Sequence, residues 1–134
     1  MKKVYICSPY AGDTRANKAY ARDLTRHAVE MGFAPIAPHL YLTEALDDGI
    51  PAERAAGIDA AFALLDTCDM LLFGCDRGIS AGMLAELELA RKRGIPILAG
   101  YYKTAGEGGV LRKGVESFLL TGAPPAGGKY AEIG

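Results

Sequence analysis

The chain has 134 residues, of which half are hydrophobic and 23% are charged, with a net charge of −1. This length suits one domain of ordinary size, and the apolar content is enough to offset chain entropy, which argues against global disorder. The balanced charge argues against a dedicated nucleic-acid-binding module but allows a small phosphorylated ligand at a local site. No apolar run approaches the ~20 residues of a membrane span, so we expect no membrane partner.

The first ten residues and the cysteines both point to the cytoplasm. The opening MKKVYICSPY has only four apolar residues before a Ser-Pro pair, which is too short for a signal peptide. Cys7, Cys68 and Cys75 are odd in number and form no C-x-x-C pair. They are therefore expected to be free thiols in a reducing compartment.

The first part of the chain alternates a buried strand, a helix and a second strand. Residues 4–7 form a short run of β-formers that a Ser-Pro pair ends. Residues 14–31 contain neither glycine nor proline and predict a helix, with Asp13 or Thr14 as its cap. A second strand, made irregular by a proline, is predicted over 33–37.

The same alternation continues beyond residue 50. A proline suited to the first turn of a helix opens the stretch 51–65, and an apolar strand follows at 70–73. A third helix is predicted over 81–93, where a glycine ends it, and a fourth strand over 97–99. The glycines within 106–109 predict a loop, and 110–120 predicts one more helix.

This βαβαβαβ order predicts an α/β fold, either flavodoxin-like or Rossmann-like, as a three-layer sandwich with a parallel sheet of four or five strands. We expect the domain to cover 1–122, with a flexible tail at 123–134. In such folds ligands bind beyond the carboxyl ends of the strands. The candidate site is therefore formed by the residues that follow the four strands, at 8–10, 38–39, 74–76 and 100–101.

Several common motifs are missing. The sequence has no G-x-G-x-x-G after the first strand, no P-loop and no G-x-S-x-G elbow. These absences argue against a dinucleotide dehydrogenase, a P-loop kinase and an α/β-hydrolase. No histidine or cysteine pair has ligand spacing, so we expect no metal site.

The segment 74–86 joins a strand to a helix and carries the most informative pattern. Ser80 caps the helix, whose first N–H groups form a seat for an anion. Gly82 and Glu86 are four residues apart and share a face, so the missing side chain leaves space above the carboxylate. A carboxylate at the edge of a core, near a strand end, is a candidate nucleophile or base. The alternative is a solvated helix glutamate such as Glu88.

The pattern Ser80-x-Gly82-x-x-x-Glu86, preceded by CDMLLFG at 68–74, resembles the nucleoside 2-deoxyribosyltransferase superfamily. The opening VYICSPYAG and the following NKAY are similar to the first strand and loop of that superfamily. The resemblance is greatest to its small bacterial and phage members and covers about residues 1–100. It implies either base exchange on deoxyribose or hydrolysis of the N-glycosidic bond of nucleoside 5′-monophosphates.

The resemblance assigns catalytic roles by position. Glu86 matches the nucleophile that attacks the anomeric carbon and forms a glycosyl-enzyme intermediate. Asp69 matches the aspartate that handles the base or its proton, and Tyr5 matches the tyrosine that orients the nucleophile. From the residues alone, Tyr5 is equally a core aromatic and Asp69 a cap at a strand entry. No metal or organic cofactor is implied.

The remaining candidates are expected to bind substrate. Asp76 is also a second candidate acid, while His39 is alternatively a structural or exposed histidine. The full set of expected substrate-binding residues is Ser8, Tyr10, Gly12, His39, Asp76, Ser80, Gly82 and Met83.

Two departures concern the 5′ end of the substrate. The superfamily places serine at the Ser80 position in its monophosphate hydrolases and aspartate in its nucleoside transferases, so serine here favours a 5′-monophosphate. The first loop lacks the hydrolases' phosphate-binding arginine, with Ala11 near that place. Arg15 and Arg77 are possible substitutes for this arginine, or simple surface charges.

Residues 52–55 are most simply a solvated helix face.

The predicted function is an N-glycosidase or 2-deoxyribosyltransferase that acts on a nucleoside or its 5′-monophosphate through Glu86. One alternative is a hydrolase of another N-glycosidic nucleotide such as NAD. A second is a nucleotide-binding module that has lost turnover. We expect a homodimer or larger homo-oligomer, because members of the superfamily often complete their sites with a neighbouring subunit and because apolar helix faces favour association.

Overall fold

A computed structural model describes residues 1–107 and 110–121. Up to residue 99 the predicted helices and strands are all present, and two short helices that the sequence did not predict are added: a 3-10 helix at Pro38–Leu40 and an α-helix at Leu42–Ala45. In chain order the elements are β1 (Lys3–Cys7), α1 (Thr14–Glu30), β2 (Ala34–Ile36), α2 (Leu42–Ala45), α3 (Pro51–Asp66), β3 (Met70–Gly74), α4 (Ala81–Arg93), β4 (Ile97–Glu107) and β5 (Val110–Thr121).

The five strands form one sheet in the order β2-β1-β3-β4-β5. The first four strands are parallel, and β5 pairs with β4 in the antiparallel direction. Helix α1 covers one face of the sheet, while α3 and α4 pack against the other. This three-layer arrangement confirms the predicted α/β class and has the strand order of flavodoxin-like folds.

The predicted helix over 110–120 is wrong, because this segment is strand β5. Its inward-facing Val115, Ser117 and Leu119 alternate with outward residues, which is the period of a strand. Strand β4 also continues to Glu107, well past the predicted 97–99, because pairing with β5 supplies hydrogen-bond partners along its whole length. The predicted tail and residues 108–109 of the predicted glycine loop lie outside the described residues, whereas 106–107 belong to β4 rather than to a loop.

The ends of the long helices are fixed by local chemistry. Asp13 caps α1, where its carboxylate accepts a hydrogen bond from Ala16 N at 3.1 Å. Ser80 caps α4, and Gly94 ends that helix in the left-handed conformation with φ of 68°. The Ser80 cap therefore fixes the start of α4 in the segment that follows β3, and this start decides where the side chains of its first turns point.

Strand β1 divides its side chains between the two layers. Val4 and Ile6 enter the apolar cluster beneath α1, whereas Tyr5 and Cys7 enter the cluster beneath α3 and α4. Within the described ranges, no helix is both long enough and apolar enough to cross a membrane.

Candidate active site

A pocket of about 500 Å³ opens at the carboxyl ends of β1 and β2, beside the start of α4. Strand β1 lies between β2 and β3, so the connection from β1 to β2 and the connection from β2 to β3 run in opposite directions across the sheet. In α/β folds, ligands bind at the strand ends where this change of direction occurs. Its walls come from the segments that follow β1 and β2, from α3 and from the start of α4. The pocket is lined mainly by apolar residues, with polar groups from Ser8, Tyr10, His39, Thr43, Asp48, Glu53, Arg54, Ser80 and Glu86.

Glu86 lies in the second turn of α4, and only 5% of its surface is exposed although it lines the pocket. Burial raises the pKa of its carboxyl from 4.5 to about 7, and the nearby Tyr5 and Cys7 side chains partly counteract this rise. Even so, Oε2 has no hydrogen-bond partner of normal geometry. The carboxylate is therefore held in an apolar setting with bonding capacity to spare.

Unpartnered polar atoms gather around this pocket. In the described part of the chain, four buried side-chain nitrogen or oxygen atoms lack a hydrogen-bond partner: Tyr5 Oη, Ser8 Oγ, His39 Nε2 and Glu86 Oε2. Three of them belong to residues that line the pocket, and Tyr5 faces Glu86 from the sheet. Since buried polar groups are almost always paired, their concentration in one place indicates that a ligand or water satisfies them.

The first turn of α4 forms one wall of the pocket. Ser80 Oγ accepts a hydrogen bond from Met83 N at 3.2 Å, so the Met83 N–H is already engaged within the helix. The N–H groups of Ala81 and Gly82 take no such partner among the described residues. A Cβ placed on Gly82 would meet nothing nearer than Ser80 Oγ at 3.8 Å. The expected space beside Glu86 is thus present.

Tyr10 and His39 line the pocket on the side of β1 and β2. Their rings stack with an interplanar angle of 17° and a centroid separation of 6.2 Å. Burial lowers the pKa of His39, and hydrogen bonding to the Ser8 backbone raises it less. The imidazole is therefore neutral at pH 7, and its unpartnered Nε2 offers one hydrogen-bonding position to a ligand.

Asp69 is not brought to the pocket. It precedes β3 at the amino-terminal edge of the sheet, and its Oδ2 accepts a hydrogen bond from Lys3 N at 2.7 Å. The pocket lies at the opposite, carboxyl-terminal edge. The structure therefore gives Asp69 the role of joining β1 to β3, which is the capping alternative.

Asp76 and Gly12 are also not among the residues that line the pocket, although Gly12 directly follows Ala11, which is. Asp76 Oδ2 accepts hydrogen bonds from Tyr20 Oη at 2.7 Å and Tyr102 N at 2.9 Å, which join α1 to β4. Gly12 has φ of 99°, a conformation that glycine adopts without strain, in the exposed turn before α1. Both residues shape the loops around the site.

Three charged residues that sequence reasoning did not select line the pocket: Asp48, Glu53 and Arg54. Arg54 is the only lysine or arginine that does so in the described part of the chain. Neither Arg15 nor Arg77 reaches this surface, and Arg77 Nε instead donates to Asn17 Oδ1 at 2.6 Å. The signal that could have identified Arg54 is its helical spacing with the apolar residues of α3 that share its face, Ile58, Ala61 and Phe62.

In the part of the chain that the structure describes, no three His, Cys, Asp or Glu side chains are arranged to hold a metal ion. The chemistry open to the pocket is that of a buried carboxylate beside a helix N-terminus. Such an arrangement suits nucleophilic attack or proton transfer on a small, partly apolar ligand.

Comparison with known proteins gives a family and a fold. A family model described as a domain of unknown function, DUF7768, matches residues 2–99. The chain belongs to this family. No curated protein matches the chain.

Two solved structures share its fold. The 2-deoxyribosyltransferase of Bacillus psychrosaccharolyticus has a TM-score of 0.60 at 14% identity, covering 71% of this chain and 69% of that chain. The 2-deoxyribosyltransferase of Leishmania mexicana has a TM-score of 0.50 at 18% identity, covering 84% of this chain and 79% of that chain. The DUF7768 domain described here therefore has the fold of 2-deoxyribosyltransferases.

Proposed function

We propose that this protein cleaves the base–sugar bond of a nucleoside or nucleoside 5′-monophosphate, with Glu86 as the nucleophile. The observation that carries the proposal is the Glu86 carboxylate, which is almost fully buried, lines an apolar pocket and has an unpartnered Oε2. The shared fold of the two 2-deoxyribosyltransferases supports the same class of substrate.

The proposed reaction has two steps. The ionised Glu86 attacks the anomeric carbon, a glycosyl ester forms, and the base leaves with the electrons of the C–N bond and takes up a proton. Water then resolves the ester in a hydrolase, or a second base resolves it in a transferase. Tyr5 orients the carboxylate from β1, while Ser8, Tyr10 and His39 bind substrate from the pocket wall. Asp69 takes no part in this mechanism, because it precedes β3 at the opposite edge of the sheet.

We further propose a 5′-monophosphate as the preferred substrate. The free N–H groups of Ala81 and Gly82, at the positive end of α4, suit an anion. The Ser80 hydroxyl accepts from Met83 N but keeps its own hydrogen to donate. Arg54 adds a positive charge to the lining of the pocket. A free nucleoside would leave these groups without a charged partner.

We also propose that the protein is a homo-oligomer. Ile58 on α3, Ile79 before α4 and Leu84 on α4 are large apolar side chains exposed on the layer that carries the pocket. Association of two copies through this layer would cover them. Light scattering is expected to give at least a dimer, and Leu84→Glu is expected to weaken it. A monomer at assay concentration would contradict this proposal.

The proposed function is tested by incubating the protein with a panel of nucleosides, nucleoside 5′-monophosphates and NAD, and measuring the released base by chromatography. Base release from a nucleoside or monophosphate is expected in the wild type and not in Glu86→Gln. A second free base in the mixture separates transfer, which yields a new nucleoside, from hydrolysis. Release from NAD alone, or binding without any release, would contradict the proposal.

A further inference from the structure

Cys7 is a buried thiol that the proposed reaction does not use. It ends β1, two residues after Tyr5, so both side chains point to the same face of the sheet. Its Sγ lies 3.9 Å from the carbonyl oxygen of Met83, in the first turn of α4. The side chain has no exposed surface. Cys7 therefore packs directly beneath the helix segment that carries Glu86.

The thiol has two possible acceptors on α4. The Met83 carbonyl lies at the outer limit of a sulfur hydrogen bond, and the ladder of the helix already uses such carbonyls. The other acceptor is the Glu86 carboxylate, three residues further along the same face. An ionised carboxylate is the stronger acceptor of the two. Burial and the nearby carboxylate raise the pKa of the Cys7 thiol, so the thiol keeps its hydrogen at neutral pH.

We propose that Cys7 is a positioning residue, whose thiol donates a hydrogen bond to the ionised Glu86 carboxylate and, together with Tyr5, holds that carboxylate toward the pocket. The catalytic consequence rests on the proposed function, but the contact itself does not. In this arrangement Glu86 faces two potential donors on β1 at alternate positions, of which the tyrosine is the longer and the cysteine the shorter. Its ionised form gains from both.

A second thiol provides a matched control. Cys68 belongs to the same apolar cluster, and its Sγ donates to Leu64 O at 3.3 Å. It lies just before β3, at the edge of the sheet away from the pocket, and makes no hydrogen bond to Glu86. Replacing either cysteine with alanine removes the same atoms from the same core. Only the Cys7 substitution is expected to affect Glu86.

The test measures the Glu86 carboxyl directly, by NMR titration of protein labelled with ¹³C in its glutamate side chains, with Glu86→Gln to assign the signal. Wild type and Cys68→Ala are expected to share one titration midpoint. Cys7→Ala is expected to move the midpoint upward by about half a pH unit or more, because the ionised form loses a donor. Cys7→Ser, which restores a donor, is expected to titrate at or below the wild-type midpoint.

Activity provides a second measurement. If Glu86 must be ionised to react, the acidic limb of kcat/KM moves to higher pH in Cys7→Ala and returns in Cys7→Ser. Should the alanine variant fold poorly, Cys7→Val fills the space without a donor and is expected to shift the midpoint in the same direction. The groups across the pocket that could also influence Glu86 are unchanged in all variants: Tyr10, His39, Asp48, Glu53 and Arg54.

The outcomes separate the two proposals. A shifted midpoint in a protein without glycosidase activity supports the Cys7 contact and contradicts the proposed function. A Cys7→Ala midpoint equal to that of the wild type overturns the positioning role, whatever the activity. A Cys7→Ser midpoint displaced as far as that of Cys7→Ala also overturns it, since the effect would then come from packing.

Discussion

The two faces of the sheet treat polar groups differently. Beneath α1, Val4 and Ile6 pack in an apolar cluster. Polar side chains on this face hydrogen-bond to one another, as His27 Nε2 and Ser117 Oγ do at 2.9 Å. Beneath α4, the same strand presents Tyr5 and Cys7 to a carboxylate. On this side several buried polar atoms at the pocket have no hydrogen-bond partner. The protein itself satisfies the polar groups beneath α1, whereas those at the pocket need a ligand or water.

Two carboxylates make this contrast concrete. Asp76 has two donors at 2.7 and 2.9 Å, so its oxygen is satisfied by the protein. Glu86 is almost fully buried and has an oxygen with no partner. A carboxylate whose hydrogen bonds are made within the protein stabilises the loops that it joins. A buried carboxylate without such partners destabilises the fold but can bind a ligand. Burial and hydrogen-bond partners, rather than residue type, distinguish Asp76 from Glu86, which we propose as the nucleophile.

The largest expected effect is on turnover. Glu86→Gln keeps the size of the side chain but removes the nucleophile, so kcat/KM is expected to fall at least about 1,000-fold, equivalent to about 4 kcal/mol. The matched control is Glu88→Gln, an exposed glutamate on the same helix, which is expected to retain activity. Steady-state measurement of kcat/KM for both variants tests this expectation. Full activity in a folded Glu86→Gln protein would remove Glu86 from the mechanism.

The space beside Glu86 can be filled stepwise at Gly82. Gly82→Leu is expected to lower kcat/KM at least about 100-fold by occupying the pocket, equivalent to about 2.7 kcal/mol. Its effect on stability is expected to stay within about 1 kcal/mol, because glycine is a poor helix former and the new side chain points into open space. Gly82→Ala, whose Cβ has room, serves as the control. Unchanged substrate affinity in Gly82→Leu would place the ligand elsewhere.

The buried carboxyl also makes stability depend on pH. Its pKa is about 7 in the folded protein and 4.5 ordinarily, so the folded state binds more protons between these values. The stabilisation is full below about pH 4.5 and is lost as pH rises to about 7, a change of up to about 3 kcal/mol in the free energy of unfolding.

Urea unfolding of the wild type and Glu86→Gln at several pH values measures this term as a difference, since the two histidines titrate in both proteins. Glu86→Gln is expected to gain stability over the wild type as pH rises through this window. Parallel stability curves for the two proteins would show that Glu86 has an ordinary pKa.

The smallest effect concerns the 5′ group. The wild type is expected to prefer a nucleoside 5′-monophosphate, and Ser80→Asp to lose that preference by at least about 10-fold, about 1.4 kcal/mol, because a carboxylate repels the phosphate. Since aspartate is also a good N-cap, the helix is expected to remain intact. The measurement compares kcat/KM for each nucleoside and its monophosphate. A wild-type preference for the free nucleoside would refute the argument from Ser80.

Sequence patterns predicted the parts of the molecule that local rules determine. The α4 cap at Ser80, the shared face of Gly82 and Glu86, and the four parallel strands all follow from spacing within a few residues. Strand β5 could not be predicted in this way, because its partner is β4 and the alternation that reveals it is short. A glycine-containing stretch with mixed helical and strand periods takes its structure from that pairing.

Asp69 and Asp76, which the sequence suggested as site residues, do not line the pocket, and the reason is the same for both. Asp69 and Asp76 both lie beside a strand end in the sequence, but their hydrogen-bond partners come from distant parts of the chain, Lys3 for one and Tyr20 for the other. Arg54 was overlooked for the converse reason, since only the position of α3 over the pocket gives it a role. Local spacing shows which groups share a face, whereas tertiary contacts decide which of them are already satisfied.

The central claim is that Glu86 forms a covalent bond to the sugar in this pocket. The most direct test is to incubate the protein with a nucleoside or 5′-monophosphate carrying a 2-fluoro-arabinosyl sugar, chosen to match the base released in the panel. Fluorine slows resolution of a glycosyl ester, so mass spectrometry of the digested protein should detect it. We predict a fluorosugar adduct on the peptide that contains Glu86 and none in Glu86→Gln. Base release without any adduct at Glu86, or an adduct on another residue, would contradict the account.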